Sequence, residues 1–150
     1  MLLRPEWAHS RLNSPHFDIT PVGWVESPLT DPEAAPKQGD EGAPDAWIVF
    51  EPAVLEALGG IRAGDEVMVL TWLHRASREV LTVHPRGDAS RAKQGVFSTR
   101  SPHRPNPIGL HHVEVVSVEG DRVEVRNLEA VDGTPVIDVK AVLSGEVGER

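Results

Sequence analysis

Apolar residues in this chain recur at alternate positions much more than at helical spacing. His112 to Val118 reads H-V-E-V-V-S-V, Glu119-Gly120-Asp121 interrupts, and Arg122-Val123-Glu124-Val125-Arg126 resumes strict alternation with charges on the other face. Period two sends successive side chains to opposite faces of a strand, so this stretch predicts a β-hairpin with one solvated side. Val67 to Leu73 (V-M-V-L-T-W-L) and Trp47 to Phe50 (W-I-V-F) are continuous apolar runs and predict buried strands. One short helix is predicted at Pro52 to Leu58, with proline in its first turn and Gly59-Gly60 stopping it. Strand runs broken about every ten residues by Gly, Pro and Asp fit an all-β barrel. Neither βαβ alternation nor a G-x-G-x-x-G fingerprint supports a Rossmann-type nucleotide fold.

Two stretches lack this pattern. Leu29 to Pro44 combines prolines and acids with few large apolar groups and is expected to form a mobile loop over one end of the barrel. Residues 1–16 read as a flexible extension for which Trp7 is the candidate anchor, 17–143 as one barrel domain, and 144–150 as a tail.

Composition narrows the chemistry. The chain has 150 residues, enough for one domain with its own core, and no cysteine, which removes disulfides, thiolate metal sites and cysteine nucleophiles together. No run approaches the roughly 18 apolar residues of a membrane span. Met1-Leu2-Leu3-Arg4-Pro5-Glu6 lacks the charged-then-apolar order of a signal peptide, so a cytoplasmic protein is expected. The histidines show no metal-liganding pattern. A net charge of −8 opposes broad nucleic-acid binding, yet His84 to Leu110 carries Arg86, Arg91, Lys93, Arg100 and Arg104 against Asp88 alone. A focused basic segment on an acidic body can steer an anionic ligand, or be a solvated basic loop.

That segment ends in the densest chemistry of the chain. Gly95 to Leu110 reads G-V-F-S-T-R-S-P-H-R-P-N-P-I-G-L and packs Pro102, Pro105 and Pro107 around Arg100, His103 and Arg104. Each proline fixes its own φ and pushes the preceding residue towards extended backbone, so Ser101, Arg104 and Asn106 lose freedom before anything binds. A stiff loop presents an arginine fork to a carboxylate or phosphate with less entropy left to lose. The same composition also suits an ordinary proline-rich surface loop.

The run from Gly95 to Pro102, continued through Arg104-Pro105-Asn106-Pro107-Ile108-Gly109-Leu110, resembles the signature of the TsaA/TrmO-like family. Asp132-Gly133-Thr134-Pro135-Val136-Ile137-Asp138-Val139-Lys140 resembles its D-G-T-P-x-x-D-I-K motif. Ile19 to Pro28 echoes its opening strand, and Pro36-Lys37-Gln38 its P-R-Q, so the likeness runs from about Phe17 to Leu143. The resemblance implies a single-sheet antiparallel β-barrel with one or two short helices. It also implies a homodimer that binds S-adenosylmethionine and methylates N6 of threonylcarbamoyladenosine at position 37 of tRNA. Where family tRNA enzymes commonly run D-I-K-P-Y, this chain has Asp138-Val139-Lys140-Ala141-Val142, and the further C-terminal domain of many bacterial members has no counterpart before Arg150.

Carried over residue by residue, the resemblance places Pro36, Lys37, Gln38, His74, Arg75, Arg100, Leu110, Asp132, Gly133, Thr134 and Pro135 around the cofactor. His103, Arg104 and Asn106 are expected on the substrate side. In a D-G-T-P turn, glycine permits a close backbone approach while aspartate and threonine add short polar groups. No catalytic base is assigned: histidine is a residue type suited to moving protons, but His74, His84 and His103 serve equally as polar surface. Two further readings stay open: a small molecule or other macromolecule as methyl acceptor, and a non-catalytic S-adenosylmethionine-binding module.

Overall fold

The computed structural model describes residues 5, 7, 15–31 and 43–143. Its strands are β1 (Gly23–Glu26), β2 (Ala46–Phe50), β3 (Glu66–Trp72), β4 (Thr82–Val83), β5 (Gln94–Gly95), β6 (Ile108–Glu119), β7 (Arg122–Arg126) and β8 (Pro135–Ala141). Six of them close into a barrel in the order β1-β2-β7-β6-β3-β8, while β4 and β5 pair as a separate ribbon. The pairs β1–β2, β2–β7, β6–β7, β3–β8 and β1–β8 all run antiparallel. In a ring of six strands that alternation makes β6 and β3 antiparallel as well. The single-sheet antiparallel barrel expected from the sequence is therefore the architecture found.

Valine fills this barrel because a β-branched side chain suits a pleated, half-buried surface. Val25, Ile48, Val67, Val69, Val113, Val115, Val123, Val125 and Val136 point inwards from the strands, and Leu128 and Ala130 join them from the segment after β7. The predicted hairpin is β6–β7, turning at Gly120-Asp121 and bulged between Val115 and Ser117. Its long strand begins at Ile108, earlier than the alternation alone suggested. The predicted helix at Pro52–Leu58 is a 3-10 helix without a side-chain cap. Leu55 and Leu58, three residues apart and so on one edge of a 3-10 helix, are partly buried against the core together with Val54.

The chain divides into two compact units: Thr20–Trp72 with Gly109–Arg150, which contains the barrel, and Met1–Ile19 with Leu73–Ile108. The second unit holds the β4–β5 ribbon, in which Thr82 faces Gly95 and Val83 faces Gln94, and short 3-10 turns at Pro85–Gly87 and Val96–Ser98. Trp7 is anchored inside this unit. Its indole Nε1 donates to the Arg78 carbonyl at 2.8 Å, and the Arg78 guanidinium lies 5.8 Å from its ring centre. Most of the expected loop Leu29–Pro44, most of residues 1–16, and the tail 144–150 lie outside the described residues.

Candidate functional site

The proline-rich loop is held by two arginines acting inward. The Arg104 guanidinium donates to the carbonyls of Val96 and Thr99, the latter at 2.7 Å, which ties the end of the loop to its beginning. Its Nε is buried without a hydrogen-bond partner among the described residues. Arg78 performs the matching task on the other flank: Nε donates to the Pro105 carbonyl and Nη2 to Asn106 Oδ1, both at 2.8 Å. Ser77 completes the frame. Its N–H donates to His103 Nδ1 at 2.9 Å, and its carbonyl accepts from the Arg104 N–H at 3.1 Å. Pro105 and Pro107 are buried, and the Pro107 carbonyl accepts from the Leu73 N–H at 2.8 Å. Three fixed φ angles and these hydrogen bonds give the loop one shape.

What this frame leaves outward is specific. Arg100 is exposed and makes no hydrogen bond or ion pair with any described residue. His74 and Arg75 are exposed where the chain enters the unit after β3, and His74 has no partner among the described residues. The three residues expected on the substrate side, His103, Arg104 and Asn106, all have polar atoms committed to the loop itself. Because His103 Nδ1 accepts from an N–H, its proton sits on Nε2 in the neutral ring, making it an outward donor. His84 has the reverse arrangement: Nδ1 faces the Arg91 carbonyl at 2.7 Å and must donate, so Nε2 keeps its lone pair. Nearby, Asp88 is held below the ordinary aspartate range, first by the Ser90 hydroxyl and then by the Ser90 N–H.

The D-G-T-P turn belongs to the barrel unit, immediately before β8. Gly133, at φ +82°, bends the chain so that its N–H reaches the Val25 carbonyl (2.7 Å), while the Asp132 N–H reaches that of Leu29 (2.6 Å). Asp132 Oδ1 accepts from the Ser27 N–H at 3.1 Å, and no described residue bonds its other oxygen. The Thr134 hydroxyl is buried and donates to the Val131 carbonyl at 2.7 Å, so it serves the turn. Pro135 opens β8 opposite Trp24. Leu110, on the outer face of β6, is 36% exposed. Pro36, Lys37 and Gln38 lie outside the described residues.

One polar group inside the barrel was not singled out from the sequence. His111 is buried, with Nε2 2.7 Å from Thr71 Oγ1 and Nδ1 2.8 Å from Glu129 Oε1. Nδ1–H donates to the carboxylate, which leaves Nε2 to accept from the threonine hydroxyl. Gly109 makes room for this chain: a Cβ there would lie 2.3 Å from Thr71 Oγ1 and 2.6 Å from His111 Nε2. The available signal was the two-residue step to Val113 and Val115, which puts His111 on the inward face. His112, facing out, lies 3.6 Å from Glu66.

Comparison with known proteins decides the family. The model of the tRNA-methyltransferase O N-terminal domain matches residues 24–145, from the second residue of β1 past the end of β8. This chain belongs to that family. Relatives of the TrmO domain include a protein of Methanothermobacter thermautotrophicus named a probable S-adenosyl-L-methionine-binding protein. It is 48% identical over 122 residues, covering 81% of this chain and 87% of that protein. An S-adenosyl-L-methionine-binding protein of Archaeoglobus fulgidus is 43% identical, over 81% of this chain and 86% of its own length. The crystal structure of TrmO from Pseudomonas aeruginosa superposes with a TM-score of 0.73 at 27% identity over 93% of this chain. This chain spans 62% of that TrmO chain. The likeness read from the two long motifs is thus a family relationship, and both motifs lie within the TrmO domain match.

Proposed function

We propose that this chain binds S-adenosylmethionine and transfers its methyl group to N6 of threonylcarbamoyladenosine at position 37 of tRNA, acting as a cytoplasmic homodimer. The observation that carries this reading is the family match across the barrel, combined with a proline-framed loop that leaves Arg100 exposed and unpaired among the described residues. The donor set suits the cofactor. Its carboxylate needs a cation with no other partner, its ammonium or ribose hydroxyls need an acceptor, and its adenine needs apolar surface. Arg100 supplies the first, the second oxygen of Asp132 the next, and exposed Leu110 the last. His74, Arg75, Gly133, Thr134 and Pro135, with Pro36, Lys37 and Gln38, complete the proposed contacts.

Bound S-adenosylmethionine supplies an activated methyl on sulfonium, so alignment of acceptor and donor accounts for most of the work left to the protein. The framed loop is suited to that work, since Arg78 and Arg104 fix its backbone before any ligand arrives. As the acceptor nitrogen gains the methyl it loses a proton. Among the histidines of this unit, His74 has no partner among the described residues and His84 keeps the Nε2 lone pair, so either has a free nitrogen to take one.

Calorimetric titration with S-adenosylmethionine, repeated with S-adenosylhomocysteine, tests the cofactor. Micromolar binding is expected, and Arg100→Ala is expected to weaken it by roughly 1–3 kcal/mol, the loss of a charged hydrogen-bond partner. A folded protein that binds neither compound would overturn the reading. Incorporation of labelled methyl into total tRNA, set against a small-molecule extract, tests the acceptor. The net charge of −8 favours the second reading, a non-RNA acceptor, and product in the extract alone would establish it. Binding without product in either would identify a non-catalytic module.

A further inference from the structure

The segment Leu73–Ile108 holds Arg75, Arg78, Arg86, Arg91, Lys93, Arg100 and Arg104 against Glu79 and Asp88, inside a chain of net charge −8. His103, Arg104 and Asn106, the residues first expected to meet an RNA acceptor, are tied into the loop frame. Beyond His103 Nε2 and exposed Arg100, the unit carries further outward chemistry. Phe97 is 84% exposed on the turn Val96–Ser98, and Arg91 and Lys93 are exposed with no side-chain partner among the described residues.

The mount beneath Phe97 is rigid. Val96 is buried, its N–H donates to the Leu81 carbonyl at 3.0 Å, and its own carbonyl accepts from the Thr99 N–H (3.0 Å), the Thr99 hydroxyl (2.9 Å) and Arg104. An aromatic ring held outward at this degree of exposure forgoes the stabilisation that apolar burial would give it. Lys93 precedes it by four residues, a span of at most about 14 Å of extended chain. A flat ring and cations along one short segment form the combination that holds single-stranded nucleic acid, with bases stacked on the aromatic and phosphates paired with the cations.

We infer that Phe97 is a stacking platform for an unpaired base of the RNA acceptor, with Arg91 and Lys93 meeting its phosphates. This rests on the RNA reading above and adds the surface that engages the RNA. The acidic remainder of the chain confines phosphate binding to this segment. The competing occupant is a second copy of the chain, with Phe97 buried against it.

The test is fluorescence anisotropy of the full chain with a fluorescein-labelled anticodon stem-loop RNA, measured without cofactor, alongside calorimetry with S-adenosylmethionine and sedimentation velocity. Phe97→Ala is expected to weaken RNA binding about 5- to 100-fold and Phe97→Trp to retain it, both leaving cofactor affinity within about twofold. Replacing Arg91 and Lys93 together by alanine should flatten the salt dependence of RNA binding by about two units of log–log slope. Unchanged RNA affinity in Phe97→Ala would overturn the inference, as would a shift of that variant from dimer to monomer. Wild-type protein that binds the cofactor but not the RNA also overturns it, while loss of cofactor binding in the wild type sinks the proposed function on a separate readout.

Discussion

Placing a methyl group at Gly109 tests whether the Thr71–His111–Glu129 chain sets the shape of the barrel interior. An alanine Cβ would sit 2.3 Å from Thr71 Oγ1 and 2.6 Å from His111 Nε2, far inside van der Waals contact, and both side chains are buried. Forcing a methyl into packed interior costs roughly 1–3 kcal/mol. If the side chains part to admit it, the buried hydrogen bond between them breaks, a further loss of about 1–3 kcal/mol. The sum, about 2–6 kcal/mol, is a large share of the roughly 5–15 kcal/mol by which a domain is stable. Urea unfolding followed by circular dichroism should show Gly109→Ala with a lower midpoint and an unchanged slope, and a melting temperature reduced by about 5–15 °C. Gly95→Ala is the control, because a Cβ there meets nothing within 4 Å and its φ of −61° is open to any residue. In a Thr71→Ala background the nearest obstructing atom is gone, so the second substitution should cost about 0.5–3 kcal/mol less than it does alone. Gly109→Ala as mild as Gly95→Ala, or fully additive with Thr71→Ala, would refute the reasoning.

Two further expectations concern the framed loop and its neighbour. Arg78→Ala removes the donors to Pro105 and Asn106, and faster amide exchange at His103, Arg104 and Asn106 is expected, at a local cost of roughly 1–3 kcal/mol; unchanged exchange would show that the prolines suffice. Asp88 has a depressed pKa in the folded chain, so the order that its carboxylate gives the Pro85–Arg91 turn is present above its unfolded pKa and is lost as pH falls through the folded value. Ser90→Ala removes the largest cause and should move the Asp88 titration, followed by NMR, up towards the ordinary aspartate value; an unmoved titration would refute that origin.

The barrel was legible wherever burial on one face imposed period two. β7 follows its alternation residue for residue, and the continuous apolar runs of β2 and β3 mark strands whose second faces are half-buried. β8 was harder to read. Pro-Val-Ile-Asp-Val-Lys-Ala buries Val136 fully but leaves Asp138 and Lys140 outside, too short a pattern to separate from the turn before it. The short helix was legible in place, and its 3-10 winding suits seven uncapped residues with Leu55 and Leu58 facing the core. At the site, the proline-rich loop announced itself, but the direction of its arginines did not. Arg104 and Arg78 are held by backbone carbonyls, and nothing in residue type distinguishes an arginine that faces a carbonyl from one that faces a phosphate.

Closure of the ring by β8 constrains the order in which the chain can fold. β8 inserts between β1 and β3, pairing Gly23 with Val136 and Val67 with Ala141, so the barrel joins its earliest strand to its latest. Such distant pairings are formed late, after the entropy of a long loop has been overcome. During synthesis on the ribosome, β1 and β3 therefore wait with open edges, a state prone to pairing with the wrong chain. Val136 follows directly on the D-G-T-P turn, so the segment read first as a ligand motif also controls when the nascent protein leaves that exposed state.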